Sequence, residues 1–214
     1  MGKSSRVDGR KAKAAALAAE NKKAERRTTL LWRIGLGVLV VALIVGVGFA
    51  VKASRPAVTS AEDLRSRVTT YTNLGRTHTT KPVDYKQVPP VGGDHNPVWQ
   101  NCGAYDKPVA EENGVHSLEH GAVWLTYDPN LPSDQVAKLT ALVATNSYLL
   151  VTPFPGLKSP VVLSAWGVQL AVDSVDSPDI PSFIKAYKQG PQTPEPGSSC
   201  TGGTGTPTVK AAGS

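Results

Sequence analysis

Residues 30–51 read LLWRIGLGVLVVALIVGVGFAV, and the last eighteen of them carry no charge, amide or hydroxyl. Such a run excludes an ordinary globular arrangement for this part of the chain. As a helix rising ~1.5 Å per residue it spans ~33 Å, enough to cross a hydrocarbon core of ~30 Å with little tilt. It is read as one N-terminal transmembrane helix, with Trp32 at the interface. A cleaved signal peptide is the competing reading, and Val51-Lys52-Ala53 offers it a small-residue site. Its apolar core would hold about 7–15 residues behind a short basic region, and this one is longer and lies behind about thirty residues.

Charge assigns the two sides. Residues 1–29 hold nine Lys and Arg against Asp8, Glu20 and Glu25, a net of +6 that equals the net charge of the whole chain. From Lys52 onward thirteen basic residues meet fourteen acidic ones, so the pI of about 9.3 describes the tail and not the larger domain. Basic residues are retained on the cytoplasmic side. The expectation is a single-pass protein of the cell membrane, with a basic cytoplasmic tail and an extracytoplasmic C-terminal domain. Its partner along residues 30–51 is then the lipid bilayer. A basic stretch beside a span is a topology determinant, so no nucleic acid is expected.

Removing tail and span leaves one domain's worth of chain, long enough to bury a core. Both cysteines, Cys102 and Cys200, fall on the outer side. In an oxidising compartment the pair reads as a disulfide, and a loop of about 100 residues would constrain the unfolded chain by ~4–5 kcal/mol. Two free thiols, or Cys102 as a metal ligand, are the alternatives. No CxxC occurs, so a thioredoxin-type centre has no support.

The chain divides into the tail 1–29, the span 30–51, a stalk 52–60 with Pro56, a domain over 61–200, and a Gly-, Thr- and Pro-rich stretch 201–214 expected to be disordered. Residues 75–114 are rich in Pro and Gly and read as irregular. Regular elements follow: a strand over 122–127, a helix opened by Ser133 with Val136, Leu139, Leu142 and Val143 at helical spacing, and a strand over 148–152. A third strand over 160–166 is extended or bent by 167–172, and a last helix begins at Asp179 and stops at Gly190. A crossover helix favours parallel pairing of the first two strands, and the Pro-Gly turn at 153–156 favours antiparallel pairing of the next two. The fold class is α+β: a small mixed sheet with covering helices in the order strand-helix-strand-strand-helix, preceded by an irregular histidine-containing region.

All four histidines, His78, His95, His116 and His120, lie within that irregular region or just after it. His116-Ser117-Leu118-Glu119-His120 matches the HxxEH pattern of inverted zinc proteases, in which the Glu is the general base. Those enzymes need the motif inside a long helix, and Gly114 and Gly121 bracket it too closely for that. A metal site without the protease fold depends on geometry. In a helical turn, capped by Asn113 and stopped by Gly121, His116 and His120 stand at i and i+4, about 6 Å apart with Glu119 beside them. In an extended segment they are ~13 Å apart and Glu119 points away. His95, in the proline-braced loop 89–97, is the natural third ligand. Such a set suits zinc, nickel or copper(II), and copper(I) is disfavoured because Met1 is the sole methionine. Hydrogen bonding of the imidazoles and Glu119 among themselves, as a scaffold for the irregular half, is the competing reading, and metal-free acid–base chemistry with Glu119 a third. Trp99, Trp124 and Trp166 with Tyr71, Tyr85 and Tyr105 read as core and loop anchors. No nucleophile elbow, phosphate loop or dinucleotide-binding glycine pattern is present.

The segments Pro89-Pro90-Val91-Gly92-Gly93-Asp94-His95, Asn101-Cys102-Gly103-Ala104-Tyr105, Val115 to Gly121, Ala165-Trp166-Gly167 and Pro194-Glu195-Pro196-Gly197 followed by Cys200, taken in this order, resemble the bacterial membrane-anchored family known as domain of unknown function 3105. The likeness covers about residues 60–200. It implies an N-terminal anchor and one extracytoplasmic domain, and it places His95, His116, Glu119 and His120 on the family's motifs, with His78 on a GxxH element. Gly92 stands where the PPxxGxH loop usually has another small residue, which is expected to loosen the loop. The family carries no assigned activity. The sequence-level reading is a divalent-metal site (zinc or copper(II)) formed by His95, His116, His120 and Glu119, with His78 as a further candidate. A structural or protein-interaction module of the cell envelope, with an unidentified protein partner, is the alternative, and a metal-dependent hydrolase using Glu119 is the third.

Overall fold

A computed structural model describes residues 60–213. The tail, the apolar run and the stalk as far as residue 59 lie outside them. Among the described residues no helix is long and apolar enough to cross a membrane.

Four helices and seven strands form an α+β unit. Helix α1 (Ala61–Arg67) is capped by Ser60, whose hydroxyl accepts from the Asp63 N–H at 3.1 Å, and it buries Leu64. After strand β1 (Thr69–Thr70) comes the long irregular stretch, interrupted by β2 (Gly103–Ala104). Then follow α2 (Glu111–Glu119), β3 (Val123–Tyr127), α3 (Ser133–Ala141), β4 (Leu149–Pro153), β5 (Val161–Ala165), β6 (Val168–Val172), α4 (Asp179–Tyr187) and β7 (Val209–Lys210).

The sheet order is β1-β6-β5-β3-β4-β2-β7. β3 and β4 run parallel in the register Val123↔Leu149 to Tyr127↔Pro153, as a helical crossover requires. All five residues of β3, of β4 and of β5 are buried, the signature of strands covered on both faces. Period two divides them. Val123, Leu125, Leu149, Val151 and Leu163 join Leu64 of α1, Leu139 of α3 and Ile180, Phe183 and Ile184 of α4 in the larger core. Trp124 and Leu150 pack with Val115 and Leu118 of α2, and with Tyr105, Phe154 and Trp166, in a second core. A bidentate ion pair between Arg67 and Asp179, with Nη2 to Oδ1 at 2.7 Å, fastens α1 to α4.

Three expectations are corrected. β5 is antiparallel to β3, with Trp124↔Ser164 and Tyr127↔Val161 in register, and does not pair with β4. The turn after β4 is long enough to carry the chain over β3, and the far edge of β4 is occupied by β2 in parallel register. The third strand is a hairpin: Trp166 and Gly167 reverse the chain so that β6 pairs with β5 from Val161↔Val172 to Ala165↔Val168. Residues 201–213 are ordered. β7 pairs antiparallel with β2, Thr204 accepts from Asn101 N–H at 2.9 Å, and Ala211 is buried. Polar composition signals disorder where burial is the source of order. Here order comes from main-chain pairing on the edge of β2.

Candidate metal centre

Helix α2 carries three of the candidate residues, and it begins earlier than its presumed cap. Ala110 is the cap, Glu111 and Glu112 occupy the first turn where the helix dipole favours acid, and Asn113 donates its side-chain amide to the Val98 carbonyl at 2.5 Å. Gly114 lies inside the helix because a Cβ there would stand 2.6 Å from the Trp124 ring. Gly121, at φ 95°, ends the helix, so the motif is helical to His120. His116, Glu119 and His120 are all buried.

Two loop segments come to meet the helix. The chain around His78 and that around His95 form a parallel bridge, with Thr79 N–H donating to His95 O at 2.7 Å and His95 N–H to Thr77 O at 3.0 Å. Gly92 is at φ 147°, and a Cβ there would lie 2.8 Å from Leu74 and 3.3 Å from the Trp166 indole. The loop is therefore packed tightly at this glycine, which corrects the expectation of loosening. His95 is fully buried against the edge of Trp166 at 5.9 Å.

The ligating atoms of His78, His95, His116 and Glu119 all lie within 4.8 Å of one another, so the four residues can hold a metal ion. The three imidazole centroids form a triangle with 4.9 Å sides. A tetrahedral zinc site with bonds of ~2.1 Å has ligand-to-ligand edges of ~3.4 Å, so each side chain would have to close in by under ~1 Å. His120 lies outside this group. Its Nε2 is 2.9 Å from Nε2 of His116 and 3.7 Å from the Glu195 carboxylate, and Trp99 packs on both rings.

Hydrogen bonding sets the direction of the lone pairs. Nδ1 of His95 lies 2.7 Å from Gly93 O, Nδ1 of His116 2.6 Å from Asn96 O, and Nδ1 of His120 2.6 Å from Ser199 O. Carbonyl oxygens only accept, so each Nδ1 carries the proton and each Nε2 of a neutral ring presents its lone pair. His95 Nε2 then faces Glu119 Oε2 at 2.9 Å, an acceptor against an acceptor, and His116 Nε2 faces His120 Nε2 in the same way. Each contact calls for a positive centre between its partners, a proton or a metal ion. Burial opposes the proton on His116: desolvation pushes its imidazole below the usual histidine range, and the neighbouring His120, His95 and His78 push the same way against the Asn96 carbonyl.

Two partners escaped the sequence reading. Arg76 donates Nε to Glu119 Oε1 at 3.2 Å, and Glu195 both faces His120 and donates its N–H to Glu119 O at 3.0 Å. The Arg76-Thr77-His78 spacing, with alternate residues on one face, was the available signal for the first. Cys102 and Cys200 are joined in a disulfide, Cα atoms 5.4 Å apart, next to the Ser199 carbonyl that holds His120.

No curated protein and no solved structure matches the chain. Residues 76–202, more than half of the chain, match the family described as protein of unknown function (DUF3105), a stretch that includes every histidine of the cluster, Glu119 and both cysteines, and the chain belongs to that family.

Proposed function

We propose that this protein binds one divalent metal ion, zinc or copper(II), through His78, His95, His116 and Glu119, in a domain held outside the cytoplasmic membrane by residues 30–51. The observation that carries the reading is that four ligating atoms lie within 4.8 Å of one another, with the Nε2 lone pairs of His95 and His116 left free by backbone carbonyls on Nδ1. Ligand histidines are commonly fixed in this way, through the ring nitrogen that does not touch the metal. His120, similarly fixed, presents its own Nε2 to Nε2 of His116 at 2.9 Å. Glu119 has one oxygen held by Arg76 and the other at His95, which favours a ligand over the free base that a hydrolase would need. The disulfide and the charge asymmetry around the apolar run support the extracytoplasmic placement.

Metal analysis by mass spectrometry tests the site, on the full chain extracted in detergent and purified without a histidine tag, beside a His95→Ala/His116→Ala variant. About one equivalent of a single metal, lost in the variant, is the expected result. A folded wild type that takes up neither zinc nor copper(II) would leave the cluster a hydrogen-bonded scaffold. Reporter fusions after residue 60 test the placement, and cytoplasmic activity there would sink it.

A further inference from the structure

Resting on the reading of the cluster as a metal centre, we infer that its open side receives an oxyanion, a carboxylate or phosphate group, gripped by Arg76. The centre is closed on most sides. His95, His116 and Glu119 are buried, while the side chains of His78 and Arg76 are 49% and 54% exposed. These two sit two residues apart on a segment whose main chain is fixed by the bridge to His95, and both reach Glu119, His78 Nε2 at 3.7 Å from Oε2 and Arg76 Nε at 3.2 Å from Oε1. Of these five residues only the half-exposed His78 imidazole and the half-exposed Arg76 guanidinium reach the surface.

The guanidinium is underused. It spends Nε on Glu119, and among the described residues neither terminal amino group has a protein partner. Those two groups form the planar fork that matches carboxylate and phosphate oxygens in pairs. Charge points the same way. A divalent ion with three neutral imidazoles and one carboxylate keeps a positive charge and Arg76 adds another, of which the nearby Asp94 carboxylate, accepting from the Thr77 N–H at 2.9 Å, offsets one. A neutral ligand would use neither the residual charge nor the fork. An oxyanion uses both, with one oxygen on the metal and another on Arg76.

The test uses the full chain in a non-ionic sugar detergent, loaded with cobalt(II) and titrated at constant ionic strength with inorganic phosphate and, separately, with acetate. Saturable changes in the cobalt visible bands are expected with at least one of them. Arg76→Gln, compared with the wild type at equal cobalt occupancy because Arg76 also holds Glu119, should lose about tenfold or more in anion affinity, as loss of a charge-assisted pair implies. Arg76→Lys should recover part of the loss, and Lys138→Gln, which removes a remote exposed charge, should change nothing. Cobalt bands indifferent to both anions, or unchanged affinity in Arg76→Gln, would overturn the inference and leave the metal centre standing. Failure of the folded wild type to take up cobalt would remove the centre and the inference together.

Discussion

On one face of the sheet, α1, α3 and α4 lay Leu64, Leu139, Ile180, Phe183 and Ile184 against Val123, Leu125 and Leu163. On the other, α2 gives Val115 and Leu118 to Trp124 and Leu150 and presents His116, Glu119 and His120 to loops from both ends of the domain. The first face is held by apolar area, which is tolerant of direction. The second is held by named main-chain acceptors: Gly93 O, Asn96 O and Ser199 O on the three rings, and Gln100 O on the buried Ser117 hydroxyl at 2.7 Å. A face built from directional bonds fixes atoms to the accuracy that coordination needs, and relies on its neighbour for most of the folding free energy.

The largest effect should come from the bond that connects the strap after α4 to the rest. Cys102 and Cys200 are 98 residues apart in sequence and both buried, so Cys102→Ala/Cys200→Ala should cost about 4 kcal/mol in denaturant unfolding. Because Ser199 precedes Cys200, the same variant should also weaken metal retention. Equal metal affinity in both proteins would show that the strap holds His120 without the disulfide. Phe183→Ala, on the apolar face and 0% exposed, should cost about 3–4 kcal/mol and leave metal stoichiometry per folded molecule unchanged. Loss of metal there would break the division between the faces.

How much of this was readable in the sequence follows the same division. α3 and α4 announce themselves by apolar residues at helical spacing and β3 and β4 by short continuous apolar runs, because burial against one layer imposes a period and burial on both faces removes it, and the structure contains each of them. The partner of β5 was not readable. It depends on β2, a strand of two residues without a sequence signal, occupying the other edge of β4. The ordered strap was hidden for a related reason: Gly203 and Gly205 are held by the Asn101 side chain, and Thr208 by Ala104 O, bonds that composition does not report. Within the site, the helical spacing of His116, Glu119 and His120 was visible. The grouping of His78 with His95 and the engagement of Arg76 with Glu119, 43 residues away, arise from loop pairing.

Ligand linkage sharpens the comparison at intermediate size. With free zinc at about 100 times its dissociation constant, the wild type should gain about 2.7 kcal/mol over the chelated protein. Glu119→Gln should gain far less, since the amide offers the ion no charge. An equal gain in both, read from thermal unfolding with and without chelator, would place the metal elsewhere.

The smallest effect concerns the contact between the two kinds of packing, where Gly114 lets α2 approach the sheet. By helix propensity alone, Gly114→Ala should stabilise by about 1 kcal/mol. The added methyl, however, would meet three atoms of the Trp124 ring at 2.6, 2.7 and 3.0 Å. That ring cannot yield easily, since it is fully buried and its Nε1 donates to Thr152 Oγ1 at 2.9 Å. Overpacking of this kind costs about 1–3 kcal/mol, so the net change should be a loss of about 1 kcal/mol. The helix must then move outward by a few tenths of an ångström, carrying His116 and Glu119 with it, while the His95 loop stays packed on Trp166. Metal affinity should fall along with stability in this variant. If stability rises by the propensity value and affinity holds, α2 is free to shift on the sheet, and the positions of its ligands are set by the loops alone.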